Sequence, residues 1–210
     1  MNTPQVHVLG SVYSRILWLY GIYTLVSNAT FLIGYYWLPE GFMRGSPATA
    51  GGRVVAEAQT FWGQFGLTLL FNLGIVALVS IVMNFNQVKD VPVGYLYPMI
   101  LGITSGLISG TNSFIASDIT QYNARDGLAL GLSIGNLEML GYIFVIAATV
   151  KYGVYQYRSW WRWDKEYKPV KVMNLRDVRL SMPETLCLVI GILLVVIGAY
   201  RETLMAFNML

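Results

Sequence analysis

The chain has 210 residues, of which 55% are hydrophobic and only 12% are charged. Because a typical soluble domain has about 25% charged residues, this composition excludes an ordinary soluble globular protein and indicates a membrane protein. The formal net charge is only +3, and a single cysteine, Cys187, excludes a disulfide framework and a cysteine-based metal cluster.

Five apolar stretches are long enough to cross a bilayer, whose hydrocarbon core of about 30 Å needs on the order of 20 helical residues. In chain order they are residues 16–38, 61–83, 95–117, 128–150 and 185–207. We therefore predict an all-α integral membrane protein, with residues 1–210 forming one polytopic domain. An odd number of spans places the two termini on opposite sides of the membrane.

Lysine and arginine residues are distributed unequally between the predicted connectors. Ten of them lie on the side that holds the N-terminus and the connector 151–182, and four lie on the other side. The positive-inside rule therefore predicts a cytoplasmic N-terminus and connector, and a C-terminus outside the cell.

Aromatic and basic residues alternate in the first part of this connector. The most concentrated group is Arg158, Trp160, Trp161, Arg162 and Trp163. Such a group is typical of an aromatic belt in contact with anionic lipid, and a docking surface for a cytoplasmic partner is the alternative. Base stacking would need a groove that nothing in the sequence indicates, so no nucleic-acid partner is predicted.

The third and fourth predicted spans both contain glycines four residues apart. They are Gly102, Gly106 and Gly110 in the third span, and Gly127, Gly131 and Gly135 in the fourth. Small residues allow close backbone approach within lipid, and a connector of about ten residues favours antiparallel neighbours. We therefore predict a glycine-packed antiparallel pair, or glycine zipper, between these two spans. Contact of each face with lipid or with another helix is the alternative.

Glu138 lies about ten residues, or roughly 15 Å, into the fourth predicted span, close to the middle of the membrane. Because an ionised carboxylate costs a few kcal/mol there, we expect it to be protonated, paired, or turned toward water or protein. Asn72 and Asn112 are candidate hydrogen-bond partners in other spans, whereas Asn136 lies on a different face of the same helix.

Arg201 and Glu202 lie near the outer end of the fifth predicted span. A long arginine side chain can extend along a helix, so Arg201 either reaches water, turns toward Glu138, or pairs with Glu202 or Asp126. The only histidine, His7, precedes the first span, so no histidine pair is available for haem or a metal within the membrane. Motifs for phosphate binding, dinucleotide binding or a nucleophile are also missing from the sequence. We predict no enzymatic activity, no metal and no cofactor.

The order of these features over residues 61–207 resembles the stage II sporulation protein M family. The resemblance depends on "LLFNLGIVAL" around Asn72, the glycine-rich "ILGITSGLISGTNSF", the glutamate of "IGNLE" and the final "RETLMAF". Members of that family usually have histidine where Ile134 stands, so the role of that histidine is absent here or has moved. The resemblance implies a non-catalytic prokaryotic cell-membrane protein that acts by associating with other proteins.

Three functions are compatible with the sequence. The first is a structural or accessory subunit of a larger complex, whose partners are other integral membrane subunits, lipids or a second copy of the chain. The alternative is a transporter or permease component with Glu138 in a polar pathway. A second alternative is a subunit of a redox or photosynthetic complex that contacts a pigment or a quinone.

Overall fold

The protein is mostly helical, as seen in a computed structural model. The structure describes residues 10–114, 124–160, 163 and 168–207, without the side chains of residues 124 and 126–134. Within the described residues, four helices are long and apolar enough to cross a membrane. They are Val12–Trp37, Phe61–Met83, Val93–Gly110 and Met182–Ala206.

Except at the end of the third predicted span, the long helices begin and end within four residues of the predicted spans. In chain order they are α1 (Val12–Trp37), α2 (Ala50–Ala56), α3 (Phe61–Leu69), α4 (Leu78–Met83), α5 (Tyr97–Gly110), α6 (Ala124–Thr149) and α7 (Met182–Ala206). A π-helical segment, Leu70–Ala77, joins α3 to α4, so residues 61–83 form one continuous second long helix.

Helix α5, which corresponds to the third predicted span, ends at Gly110. It ends earlier than predicted because Asn112 turns the chain with a positive φ of 48°. Residues 115–117 of that predicted span lie outside the described residues.

A four-stranded sheet lies at one end of the helices, so the all-α prediction is incomplete. The strands are β1 (Asn86–Val88), β2 (Val91–Pro92), β3 (Tyr155–Tyr157) and β4 (Val170–Lys171), in the order β2-β1-β3-β4. Lys89 and Asp90 both have positive φ, as a tight turn between antiparallel β1 and β2 requires. Since β1 follows α4 and β3 follows α6, the two strands leave the helices in the same direction and pair in parallel. The sequence does not predict these strands, because strands of two or three residues are too short for a recognisable alternation of apolar and polar residues.

Helix α6 is the centre of the bundle. It packs most extensively on α7 and also contacts α1, α5 and the second long helix. Its second half is almost completely enclosed by these neighbours, and Tyr142, Ile143 and Ile146 are among the largest fully buried side chains. The other extensive contact joins α1 to α5.

The glycines of α5 face α1 instead of α6, which corrects the predicted helix pair. The three residues concerned are Gly102, Gly106 and Gly110. A methyl group added at Gly106 would lie 2.9 Å from the backbone nitrogen of Phe31, and Gly34 of α1 meets Gly110 in return. The glycines therefore do form a contact face, but the matching small-residue surface belongs to the first helix.

A different set of glycines brings α6 close to its neighbour α7. A methyl group added at Gly141 would lie 2.8 Å from the carbonyl oxygen of Gly191. A methyl group added at Gly191 would lie at the same distance from the carbonyl oxygen of Gly141. Gly135, which was predicted to face α5, has open space around it. The predicted contacts of Gly127 and Gly131 lie outside the described residues.

Candidate functional site

Glu138 lies where three helices meet. Its side chain projects from α6, is only 8% exposed, and accepts a 2.7 Å hydrogen bond from the amide nitrogen Nδ2 of Asn72 on the second long helix. On the other side is Gly198 of α7, where any side chain would collide with Cγ of Glu138. The missing side chain at residue 198 is therefore what leaves room for the carboxyl group.

Asn72 reaches Glu138 from the π-helical segment Leu70–Ala77. Such segments contain an extra residue per turn, shift the register of the faces that follow, and occur frequently at functional sites. Here the π-helical turn lies at the same level as the one acidic side chain that the sequence places near the middle of the membrane.

Two further polar residues precede Asn72 on the same face of the second long helix. Gln64, Thr68 and Asn72 follow one another at intervals of about one helical turn. Gln64 and Thr68 are both buried, and Thr68 is only 4% exposed. The hydroxyl of Thr68 has no hydrogen-bond partner among the described residues. Neither residue was among the predicted site residues, although polar side chains at four-residue intervals in an apolar helix are a usable signal. We call Gln64, Thr68 and Asn72 the polar stripe.

Polar residues beyond Asn72, toward the sheet, have protein partners instead. Ser80 donates to the carbonyl of Ala77 over 2.6 Å. Asn84 donates to the Thr149 hydroxyl over 2.8 Å and to the Ile146 carbonyl over 2.9 Å. Both Ser80 and Asn84 are completely buried. The side-chain oxygen Oδ1 of Asn84, like the hydroxyl of Thr68, is buried without a hydrogen-bond partner among the described residues.

Glu202 completes the site from α7. It lies one turn beyond Gly198, is half-buried, and is close enough to Glu138 for an electrostatic interaction between the two carboxyl groups. Arg201 is also half-buried. The hydrogen bond that Glu138 accepts comes from Asn72 rather than from Arg201.

Asn112 does not belong to this site, which corrects its prediction as a partner of Glu138. It follows the end of α5, where its side chain donates to Glu40 over 2.6 Å and its carbonyl accepts from Arg44 over 3.1 Å. These bonds join the loop after α1 to the end of α5. Asn112 was predicted inside a span because the apolar run continues past the point where the helix ends.

Asn136 lies on another face of α6, as its spacing from Glu138 predicts. It accepts a 3.1 Å hydrogen bond from the hydroxyl of Tyr20. Both side chains line a cavity of about 30 Å³ between α1, α5 and α6, where Tyr23, Ser27 and Ser105 place their hydroxyl groups close together. A cavity of this volume and polarity has room for about one water molecule.

A buried ion pair lies at the sheet end of the bundle. Arg15 of α1 donates to Glu184 of α7 over 3.3 Å and to the carbonyl of Ala147 on α6 over 3.2 Å. Lys151 contacts the second oxygen of Glu184 at 2.8 Å, and Glu184 also caps the start of its own helix with Ser181. Arg15 is one of the ten basic residues from which the sequence predicts the cytoplasmic side.

The aromatic and basic residues after β3 are exposed where the structure describes them. Arg158 and Trp160 are exposed, and Trp163 is 91% exposed. Trp161 and Arg162 lie outside the described residues. The exposed group is at the same end of the bundle as Arg15 and the sheet.

The fold and the site define a helical membrane protein with a buried carboxyl and amide pair. Among the described residues, no group of three or more histidine, cysteine, aspartate or glutamate side chains is placed to hold a metal ion. No family model, curated protein or solved structure matches the chain.

Proposed function

We propose that this chain is a component of a membrane transport system, and that Glu138 is the polar group in its pathway. The observation that supports this proposal is the hydrogen bond between Asn72 and Glu138 deep within apolar helices. Ionisable residues within a membrane are costly and usually mark the path of an ion or a substrate.

The surroundings of Glu138 favour a pathway over a purely structural role. A purely structural carboxyl group would need hydrogen-bond partners for both of its oxygens, and Asn72 donates to one of them, Oε1. The site also has a second carboxyl group, Glu202, and the polar stripe leads to it from the beginning of α3. Polar groups buried at a helix interface in lipid need a partner, and water or a solute can be that partner.

The proposed topology has five spans, with α6 as the fourth. Helix α6 has 26 residues, which at 1.5 Å per residue is about 39 Å and exceeds the hydrocarbon thickness. In this arrangement the sheet and Trp163 are cytoplasmic, and the start of α3 and the C-terminal end of α7 lie on the outer side. The charge distribution supports this orientation.

A cysteine at the site tests the pathway. In a Cys187→Ala background, Glu138→Cys should react with a membrane-impermeant thiol reagent from at least one side of the membrane. Val145→Cys, a completely buried position on the same helix, should remain unlabelled. Retention of the wild-type melting profile by both variants is the folding control. Absence of labelling at residue 138 from both sides would contradict the proposal.

An accessory subunit of a larger membrane complex is the second candidate. It is favoured by the second long helix, which contacts the rest of the protein along one narrow face and leaves apolar residues such as Leu70 and Leu78 exposed. A photo-crosslinking residue at Leu78 should then capture a protein partner, whereas one at Leu25 of α1 should capture lipid only. Nothing in the described residues favours a pigment or a quinone.

A further inference from the structure

We propose that the sheet and residues 168–180, which lead from it into α7, form a binding surface for the headgroups of anionic phospholipids. The lipids belong to the leaflet on the sheet side of the membrane. We call residues 168–180 the β4 segment. The sequence singles out only the earlier aromatic and basic group, which ends at Trp163. The inference is independent of the transport proposal, because none of its residues belongs to the Glu138 site.

The first support is the position of the sheet directly beside the helix ends. Strand β1 begins three residues after α4 ends at Met83, and β3 begins six residues after α6 ends at Thr149. Since a residue spans at most about 3.6 Å, β1 starts within about 11 Å of the end of α4 and β3 within about 22 Å of the end of α6. The headgroup layer follows directly on the hydrocarbon core that the long helices cross. The sheet therefore borders the headgroup layer.

The second support is the way in which the β4 segment is held at this level. Lys171 of β4 pairs with Tyr155 of β3. The backbone N–H of Val172 donates to the carbonyl of Val154 over 2.9 Å. At its other end the segment continues into α7, which begins at Met182. Both ends of the β4 segment are therefore fixed close to the bilayer surface.

The third support is the combination of apolar and basic side chains in the β4 segment. Val170, Val172 and Leu175 are 42%, 40% and 53% exposed. The basic residues of the segment are also exposed, and they are Lys168, Lys171, Arg176 and Arg179. At a bilayer surface, apolar side chains enter the boundary of the acyl chains while basic groups remain with the phosphates. The exposed residues of the segment therefore match both layers of a lipid surface.

The fourth support is charge. None of the four basic residues of the β4 segment forms an ion pair within the part of the chain that the structure describes. The acidic residue of the segment, Asp177, accepts a 3.1 Å hydrogen bond from the side chain of Asn174. Lys89 and Arg158 are exposed at the same end of the bundle. Across the connector 151–182, eight basic residues outnumber three acidic ones. The surface is therefore complementary to negatively charged headgroups.

The composition of this surface favours lipid over a protein partner. The core of a protein interface is depleted of charged residues, and lysine is depleted across the whole interface. In the β4 segment, lysines and arginines instead separate the apolar residues along the chain. A protein partner would also have to displace headgroups from a sheet that already borders them.

Lipid titration of the purified full chain in a neutral detergent tests the surface, with native mass spectrometry as the measurement. Phosphatidylglycerol should bind at least fivefold more tightly than phosphatidylcholine. A double variant, Lys168→Gln with Lys171→Gln, should weaken phosphatidylglycerol binding at least fivefold, since each basic residue near an anionic surface contributes about that factor. Arg125→Gln removes an exposed basic residue where α6 begins, at the opposite end of the bundle. It is the matched control and should bind phosphatidylglycerol like the wild type.

A fluorophore on the β4 segment tests the location of the lipid. In a Cys187→Ala background, a fluorophore attached to Leu175→Cys should be quenched by lipids brominated on their acyl chains in nanodiscs that contain phosphatidylglycerol. Quenching should be weaker in phosphatidylcholine alone. High salt should also weaken it, because screening reduces the attraction between exposed charges.

Each result decides for or against the lipid surface. Equal affinities of the wild type for the two lipids overturn it, and so does an equal loss of phosphatidylglycerol affinity in the double variant and in Arg125→Gln. If the double variant does not fold, quenching at residue 175 that is unaffected by phosphatidylglycerol and salt overturns the surface. Absence of quenching overturns it as well, and indicates that water or a protein covers the segment. Thiol labelling at residue 138 tests the transport proposal separately, so either proposal can fail without the other.

Discussion

At the scale of single residues, the polar groups within the bundle form two kinds of arrangement. Arg15 and Glu184 neutralise each other across α1 and α7. Glu138 instead accepts from a neutral amide and faces a second carboxyl group. The first arrangement joins α1 to α7 through opposite charges, although Nε of Arg15 is buried without a hydrogen-bond partner among the described residues. The second places a carboxyl group deep among apolar helices with a neutral hydrogen-bond donor, which is why it is the candidate functional site.

The Arg15 and Glu184 pair should contribute strongly to stability. Glu184→Gln leaves Arg15 buried without its anionic partner, so we expect the free energy of unfolding to fall by about 2–3 kcal/mol. Lys151→Met removes a partner whose side chain is 43% exposed, and should cost less than about 1 kcal/mol. Equilibrium unfolding in mixed micelles measures both. Equal losses of unfolding free energy in the two variants would show that the buried Arg15 and Glu184 pair stabilises the protein no more than the exposed contact of Lys151.

At the scale of elements, two tight helix pairs are assembled around α6. Glycines of α5 contact α1, and Gly141 and Gly191 bring α6 and α7 together. In lipid, such close packing is a main source of association between helices. The second long helix lacks an equally extensive contact, and its attachment includes the polar interactions of Asn72 and Asn84.

The contact between α1 and α5 predicts opposite effects for two alanine substitutions. In Gly106→Ala the new methyl group meets the backbone of Ser27 and Phe31, so we expect a loss of about 1–3 kcal/mol. Gly21 has open space around it, and Gly21→Ala should be neutral or stabilise by up to about 1 kcal/mol through helix propensity. Melting temperatures in detergent measure the difference. A tolerated alanine at residue 106 would contradict the packing.

At the scale of the whole molecule, the long helices alternate in direction, and both connectors at the sheet end contribute strands to one sheet. This sheet closes the same end of the bundle as the Arg15 ion pair. The unpartnered hydroxyl of the polar stripe, Thr68, lies in the other half of the bundle. The two ends of the bundle therefore differ in structure, with the sheet and the Arg15 ion pair at the same end.

This asymmetry gives a topology prediction. In the Cys187→Ala background, Trp163→Cys and Glu57→Cys are both exposed positions at opposite ends of the bundle. We expect Trp163→Cys to be labelled only from the cytoplasmic side and Glu57→Cys only from outside, as measured on intact cells and inverted vesicles. Labelling of both from the same side would refute the five-span arrangement.

Sequence alone determined the membrane class and the approximate limits of the long helices, because length and apolarity are local properties. It also singled out Glu138 and Asn72, since polar residues are conspicuous in apolar runs. It offered both Asn72 and Asn112 as hydrogen-bond partners of Glu138 and could not choose between them, because Asn72 and Glu138 are 66 positions apart and only packing brings them together.

Only the tertiary structure decided which helices are partners. The α5 glycines contact α1 because the backbones of those two helices fit closely at Ser27, Phe31 and Gly34, and short connectors do not specify such a fit. The unpartnered hydroxyl of Thr68 and the space beside Gly198 were decided in the same way. A cavity or a missing partner is a property of several helices together, so it depends on packing rather than on any one segment of sequence.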